Sequence, residues 1–156
     1  MKTPRPTYSL MDEMLASPTE PMAAASRVHV LTTMWEGLHA FERAVAPNAH
    51  DWRVCSDAVN LMESLVDMGV IEDASGLLTD AVAALGQAGA RAQRGEGLSL
   101  DTAGQHAVRS VLENYAVVLE QVPARTMVRC HRRTERRIRE ILVGRGRTGD
   151  VQVMSL

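Results

Sequence analysis

DTAGQHAVRSVLENYAVVLEQV, residues 101–122, is the stretch that decides the fold class. Val108, Val111, Leu112, Tyr115, Val118, Leu119 and Val122 recur at steps of three, one, three, three, one and three. That spacing lines one face of a helix turning 3.6 residues per turn. Asp101 or Ser99 supplies the N-terminal cap, and Pro123 closes the segment.

The same rhythm extends upstream. Val28, Leu31, Met34, Trp35, Leu38, Phe41 and Val45 predict a helix from Ser26 to Ala46, closed by Pro47. Asp51 opens a second, Trp52 to Met68, with Val54, Ala58, Leu61, Met62 and Leu65 as its buried stripe and Gly69 as its stop. A third, from Asp73 to Arg94, carries Leu77, Leu78, Ala81, Leu85 and Ala88, small enough to let a neighbour come close. Four of the six prolines lie within the first 21 residues, so residues 1–25 read as an irregular arm with one short helix near Ser9–Ala16.

At 156 residues, 46% hydrophobic and only 3% aromatic, the chain is long enough for one core built from Leu, Val, Ala and nine Met. Short connections between amphipathic helices predict antiparallel neighbours. The expected fold is therefore all-α: an antiparallel bundle of four to five helices over residues 26–144, with a flexible basic tail at 145–156.

Downstream of Pro123 the pattern changes character. Arg125, Arg129, Arg132, Arg136 and Arg139 recur at four, three, four and three, which puts all five on one side of a helix from Ala124 to Gly144. Met127, His131, Thr134, Ile138 and Ile141 run along the opposite side as a mostly apolar seam. Like charges at this spacing cost a helix about 0.2–0.5 kcal/mol per pair, and Glu135 and Glu140 are too few to offset them. Arg133, Arg137, Arg145 and Arg147 add a second basic set. Residues 1–123 hold eight Lys and Arg against sixteen Asp and Glu; residues 124–156 hold nine Arg against three acids. The ladder therefore calls for a compensating anion. Three sources fit: acids of this chain or a second copy (Asp57, Glu63, Asp67, Glu72, Asp73), an acidic protein surface, or nucleic acid. Against nucleic acid stand an isoelectric point of 6.2 and the lack of aromatic residues in the ladder to stack on bases.

Catalytic and cofactor motifs fail on context. Gly144-Arg145-Gly146-Arg147-Thr148-Gly149 matches G-x-G-x-x-G, but it follows a helix instead of turning a strand into one, so the pyrophosphate-binding geometry is missing. Glu36 and His39 share a helix face, yet a di-metal bundle needs a second such pair and two more inward glutamates; His39 reads as a surface residue beside Glu42 or solvent. Cys130 and His131 diverge by about 100° on a helix, so they form no thiolate–imidazole pair. Cys130 reads as a small hydrophobe at the seam edge, and Cys55 and Cys130 do not make a secreted disulfide framework. No metal, cofactor or small-molecule substrate is implied. No signal-like apolar region follows the N-terminus and no run is long enough for a membrane span, so a cytoplasmic protein is expected.

Asp51-Trp52, Asp57-Ala58-Val59-Asn60, Arg91-x-x-Arg94-Gly95, Leu98-Ser99-Leu100 and Ile141-Leu142-Val143-Gly144 together resemble small helical proteins carried by phages, prophages and plasmids of Gram-negative bacteria. The resemblance spans about two-thirds of the chain and implies a context: an accessory protein of a mobile element that acts by binding. The expected function is non-enzymatic, with the arginine-lined helix as the contact for a host or element protein and self-association allowed. A nucleic-acid-binding regulator using the same helix is the alternative.

Overall fold

The computed structural model describes residues 5–43 and 46–144, and six helices and no strand occur among them. They are α1 (Leu10–Leu15), α2 (Ala24–Glu42), α3 (Ala49–Asp67), α4 (Leu77–Gln93), α5 (Thr102–Gln121) and α6 (Ala124–Leu142). The protein is all-α. The G-x-G-x-x-G stretch beyond Gly144, Arg145, Arg147 and the rest of the tail lie outside the described residues.

Local chemistry explains where the helices start and stop. Asp101 caps α5, its carboxylate accepting from Gly104 N–H at 2.7 Å. Helix α3 starts three residues earlier than the sequence implied. Asn48 is its cap, accepting from His50 and Asp51 N–H, while Asp51 returns a bond to the Asn48 N–H at 2.8 Å. Asp51 is thus the second half of a capping box rather than the cap itself. At the far end Gly69 takes φ +69°, with Val70 N–H on Leu65 O and Gly69 N–H on Val66 O. This is the paired-bond stop that a left-handed residue makes possible.

Three further predicted boundaries move. Helix α2 begins at Ala24, without a side-chain cap, and ends at Glu42, with Arg43 as its C-cap. Helix α4 begins at Leu77, not Asp73, because Gly76 turns the chain at φ +73°. Asp73 acts at a distance: its carboxylate accepts from Leu78 and Thr79 N–H, both at 3.2 Å.

Helix α3 lies at the centre, packed against α2, α4, α5 and α6. It buries Trp52, Cys55, Ala58, Val59, Leu61, Met62 and Leu65. Helix α5 buries Val108, Val111, Leu112, Tyr115 and Leu119, with Val122 just beyond it, and Val118 is half-buried against the core. On α2, Met34, Leu38 and Phe41 are buried, whereas Val28, expected on the same stripe, is 63% exposed. Three buried polar contacts tie helices to one another. Trp52 Nε1 donates to Leu85 O at 2.9 Å, Cys130 Sγ donates to Leu61 O at 3.2 Å, and Ser64 Oγ meets Thr134 Oγ1 at 2.6 Å.

Candidate functional site

Helix α6 begins at a proline with no side chain to cap it, which leaves its first N–H groups needing acceptors. The N-terminal arm supplies them. Ala124 N–H donates to Glu20 O at 2.8 Å and Arg125 N–H to Ser17 O at 2.9 Å. The Arg125 side chain reaches the end of α1, donating to Met14 O at 3.0 Å and Ala16 O at 3.1 Å. A guanidinium there meets carbonyls that have no further turn of helix to satisfy them.

One turn further along, Arg129 Nε donates to Glu13 Oε1 at 2.8 Å and Arg132 Nη1 donates to Glu13 Oε2. Glu13 is the buried residue of α1, 8% exposed. The Arg129 bond, foremost, and the Arg132 bond hold its carboxyl below the ordinary range, against the opposing effect of burial. The arm continues past α1: Thr7 N–H donates to Glu135 Oε1 at 2.9 Å, and the Tyr8 ring meets the His131 ring edge-on at 5.2 Å. Residues 7–20, expected to be mostly irregular, are thus an ordered strap along α6.

The strap divides the arginines. Arg125, Arg129 and Arg132 turn toward it, although the Arg129 side chain stays 57% exposed. Arg139 lies 3.6 Å from Glu135. Arg137 Nη1 donates to Asp67 Oδ2 at 2.9 Å; of the acids expected to face the ladder, Asp67 thus meets a member of the second set. Arg133 and Arg136 are exposed and have no ion-pair or hydrogen-bond partner among the described residues. A cleft of about 320 Å³ separates Pro6–Leu10 from Arg132, Arg136 and Arg139, and a smaller one of about 170 Å³ lies between Met68 and the Arg129–Arg136 turn.

Because Glu13 points inward, α1 is inside out. Leu10, Met11, Met14 and Leu15 are between 57% and 77% exposed. Apolar surface on this scale beside a charged row marks a contact region more than a core element. Helix α1, expected near Ser9–Ala16, opens on a capping box, with Ser9 N–H on Asp12 Oδ2 at 2.6 Å. Nothing in the local pattern singled out Glu13 as the inward residue.

On the seam side of α6, Met127 and Thr134 are buried and His131, Ile138 and Ile141 are half-buried. Cys130, expected at the edge, is wholly buried. Burial pushes its thiol up to about 12, and the thiol of Cys55 likewise. His39, expected as a surface residue beside Glu42 or solvent, is exposed, and Glu42 takes Arg109 in a two-pronged pair at 2.7 Å and 2.7 Å.

A third concavity, about 250 Å³, opens where α2, α3, α5 and α6 meet. Its walls are mostly apolar, with His29, Asp57, Tyr115 and His131 as its ionisable lining. Among the described residues no group of three or more His, Cys, Asp or Glu is placed to hold a metal ion, and no helix is long and apolar enough to cross a membrane. Comparisons with protein-family models, with curated proteins and with solved structures return no match for this chain.

Proposed function

We propose that the protein is a non-enzymatic interaction module that binds an acidic partner protein through a surface shared by α1 and α6. The observation that carries this reading is the pairing of Leu10, Met11, Met14 and Leu15, all exposed, with the unpartnered Arg133 and Arg136 on the adjoining helix. Apolar side chains supply affinity and a desolvated arginine supplies specificity for carboxylates. The complementary partner surface carries apolar residues flanked by Asp and Glu. In this reading the five long helices form an antiparallel scaffold and the strap presents α1 to the partner. The resemblance to small phage and plasmid proteins supports an accessory role for a mobile element, acting in the cytoplasm of its host.

Nucleic acid remains the second reading, favoured by the outward position of Arg133, Arg136 and Arg139. The absence of aromatic residues between them still counts against it. A photo-crosslinking residue at Met11, with and without Arg133→Glu and Arg136→Glu, separates the possibilities in the native host. The expected result is a protein adduct with an acidic partner that the double reversal abolishes and high salt weakens. A nuclease-sensitive adduct would move the assignment to nucleic acid, and an adduct of two copies would move it to self-association. An acidic-protein adduct untouched by charge reversal would remove the arginines from the contact.

A further inference from the structure

The cleft between α2, α3, α5 and α6 gathers four ionisable side chains around a mostly apolar floor. Tyr115 is 2% exposed and lines it, yet its hydroxyl has no hydrogen-bond partner among the described residues. The side chains of Asp57, His29 and His131 also line it without a hydrogen-bond partner there. Asp57 and His29 are exposed at its rim and His131 is half-buried, so a phenol, a carboxyl and two imidazoles surround one apolar hollow, the few convergent polar groups of a ligand pocket.

The chemistry of the set restricts what fits. Asp57 carries the formal negative charge of the lining. Burial lowers the pKa of His131, with Glu135 opposing, so its ring is a neutral acceptor at pH 7. Burial raises the Asp57 carboxyl, partly offset by Arg53 and His50. A cation placed beside it would draw it back down. A primary ammonium has three donors and no acceptor. Its donors match the acceptors of the lining: the Asp57 carboxylate, an imidazole nitrogen of His131 and a lone pair of Tyr115 Oη. Met34, Val54, Ala58 and Leu61 leave room for an apolar body, and the volume of about 250 Å³ limits that body to one ring or a short chain. An anion would face Asp57 directly.

We propose that this cleft is a binding site for a small primary amine with an apolar body, held by Asp57, Tyr115 and His131. Its His131 is shared with the strap, whose Tyr8 ring meets it edge-on at 5.2 Å.

Three probes of similar shape test it on the full chain: benzylamine, benzyl alcohol and benzoate, titrated while the ring resonances of His29 and His131 are followed by NMR. Benzylamine should bind saturably and shift both rings, benzyl alcohol should bind at least about tenfold more weakly, and benzoate should not bind in the same range. Asp57→Asn should weaken benzylamine by about tenfold or more. Tyr115→Phe, which keeps the buried ring, should weaken it about threefold to tenfold. The proposal is overturned if benzylamine does not saturate, if benzoate binds as well, or if Asp57→Asn binds benzylamine like the unsubstituted chain.

Discussion

Arg129 Nε donates to Glu13 Oε1 at 2.8 Å, joining residues 116 positions apart in the chain. That bond fastens the N-terminal strap to the arginine-rich helix. Replacing Glu13 with Ala leaves Arg129 and Arg132 without their carboxylate. Hydrogen bonds to charged groups contribute about 1.5–3 kcal/mol, and the exposure of Arg129 puts the expected loss toward the lower end. Limited proteolysis should then cut the strap between residues 7 and 20 much faster, while α2–α5 stay resistant.

The same carboxylate sets a pH dependence. Its pKa is depressed in the folded chain, chiefly by the Arg129 bond. Its contribution is therefore complete above the unfolded value of about 4.3 and is lost as pH falls through the lower, folded value. Acid titration should release the strap, read from the loss of the Tyr8–His131 ring contact by NMR. Glu13→Gln should remove that transition and start from a partly released state.

At Gly37, α2 lies tight against α3. A Cβ there would sit 2.3 Å from Val54 Cγ2 and 3.0 Å from Asp51 O. Gly37→Ala should therefore destabilise the fold by about 1–3 kcal/mol, as overpacking does, measured by the urea midpoint. Adding Val54→Ala removes the nearer clash and should recover part of the loss, with Asp51 O still crowding the site.

Between α3 and α6, Thr134 Oγ1 donates to Cys130 O at 3.0 Å and meets Ser64 Oγ at 2.6 Å. Thr134→Val strands the buried Ser64 hydroxyl and should cost about 1–3 kcal/mol. With Ser64→Ala added, the combined loss should be smaller than the sum of the two single losses, because the second change removes the stranded group.

Cys55 and Cys130 should label with a maleimide only as fast as the protein unfolds. Both are fully buried and their thiols sit near pKa 12, so the reactive thiolate is scarce at neutral pH. Labelling rates should rise in step with urea, and fast labelling without denaturant would contradict the packing of α6 against α3.

The helices were legible because their signals are local. The spacing of Val108 to Val122 and the stop at Gly69 depend on residues a few positions apart, and both appear as expected. Asp51 and Asp73 were misplaced by only a few residues because each is a real capping group acting from a neighbouring position. The regular spacing of the arginines was also plain. What they face was not. Glu13 meets Arg129 and Arg132 across more than a hundred residues, and an acid in a proline-rich arm gives no periodic signal. The cleft was hidden for the same reason: Asp57, Tyr115 and His131 lie on three different helices, and each alone looks like an ordinary helical residue.

The central claim is that α6 carries two functionally separate rows of arginine, one holding the strap and one free for a partner. Amide exchange at Ala124 and Arg125, whose N–H groups bond to Glu20 O and Ser17 O, tests it in purified protein. Arg129→Glu with Arg132→Glu should speed exchange at both amides sharply, whereas Arg133→Glu with Arg136→Glu should leave it unchanged. Equal exchange in the two double variants would show that the rows are not separate, and the division of the helix would fall.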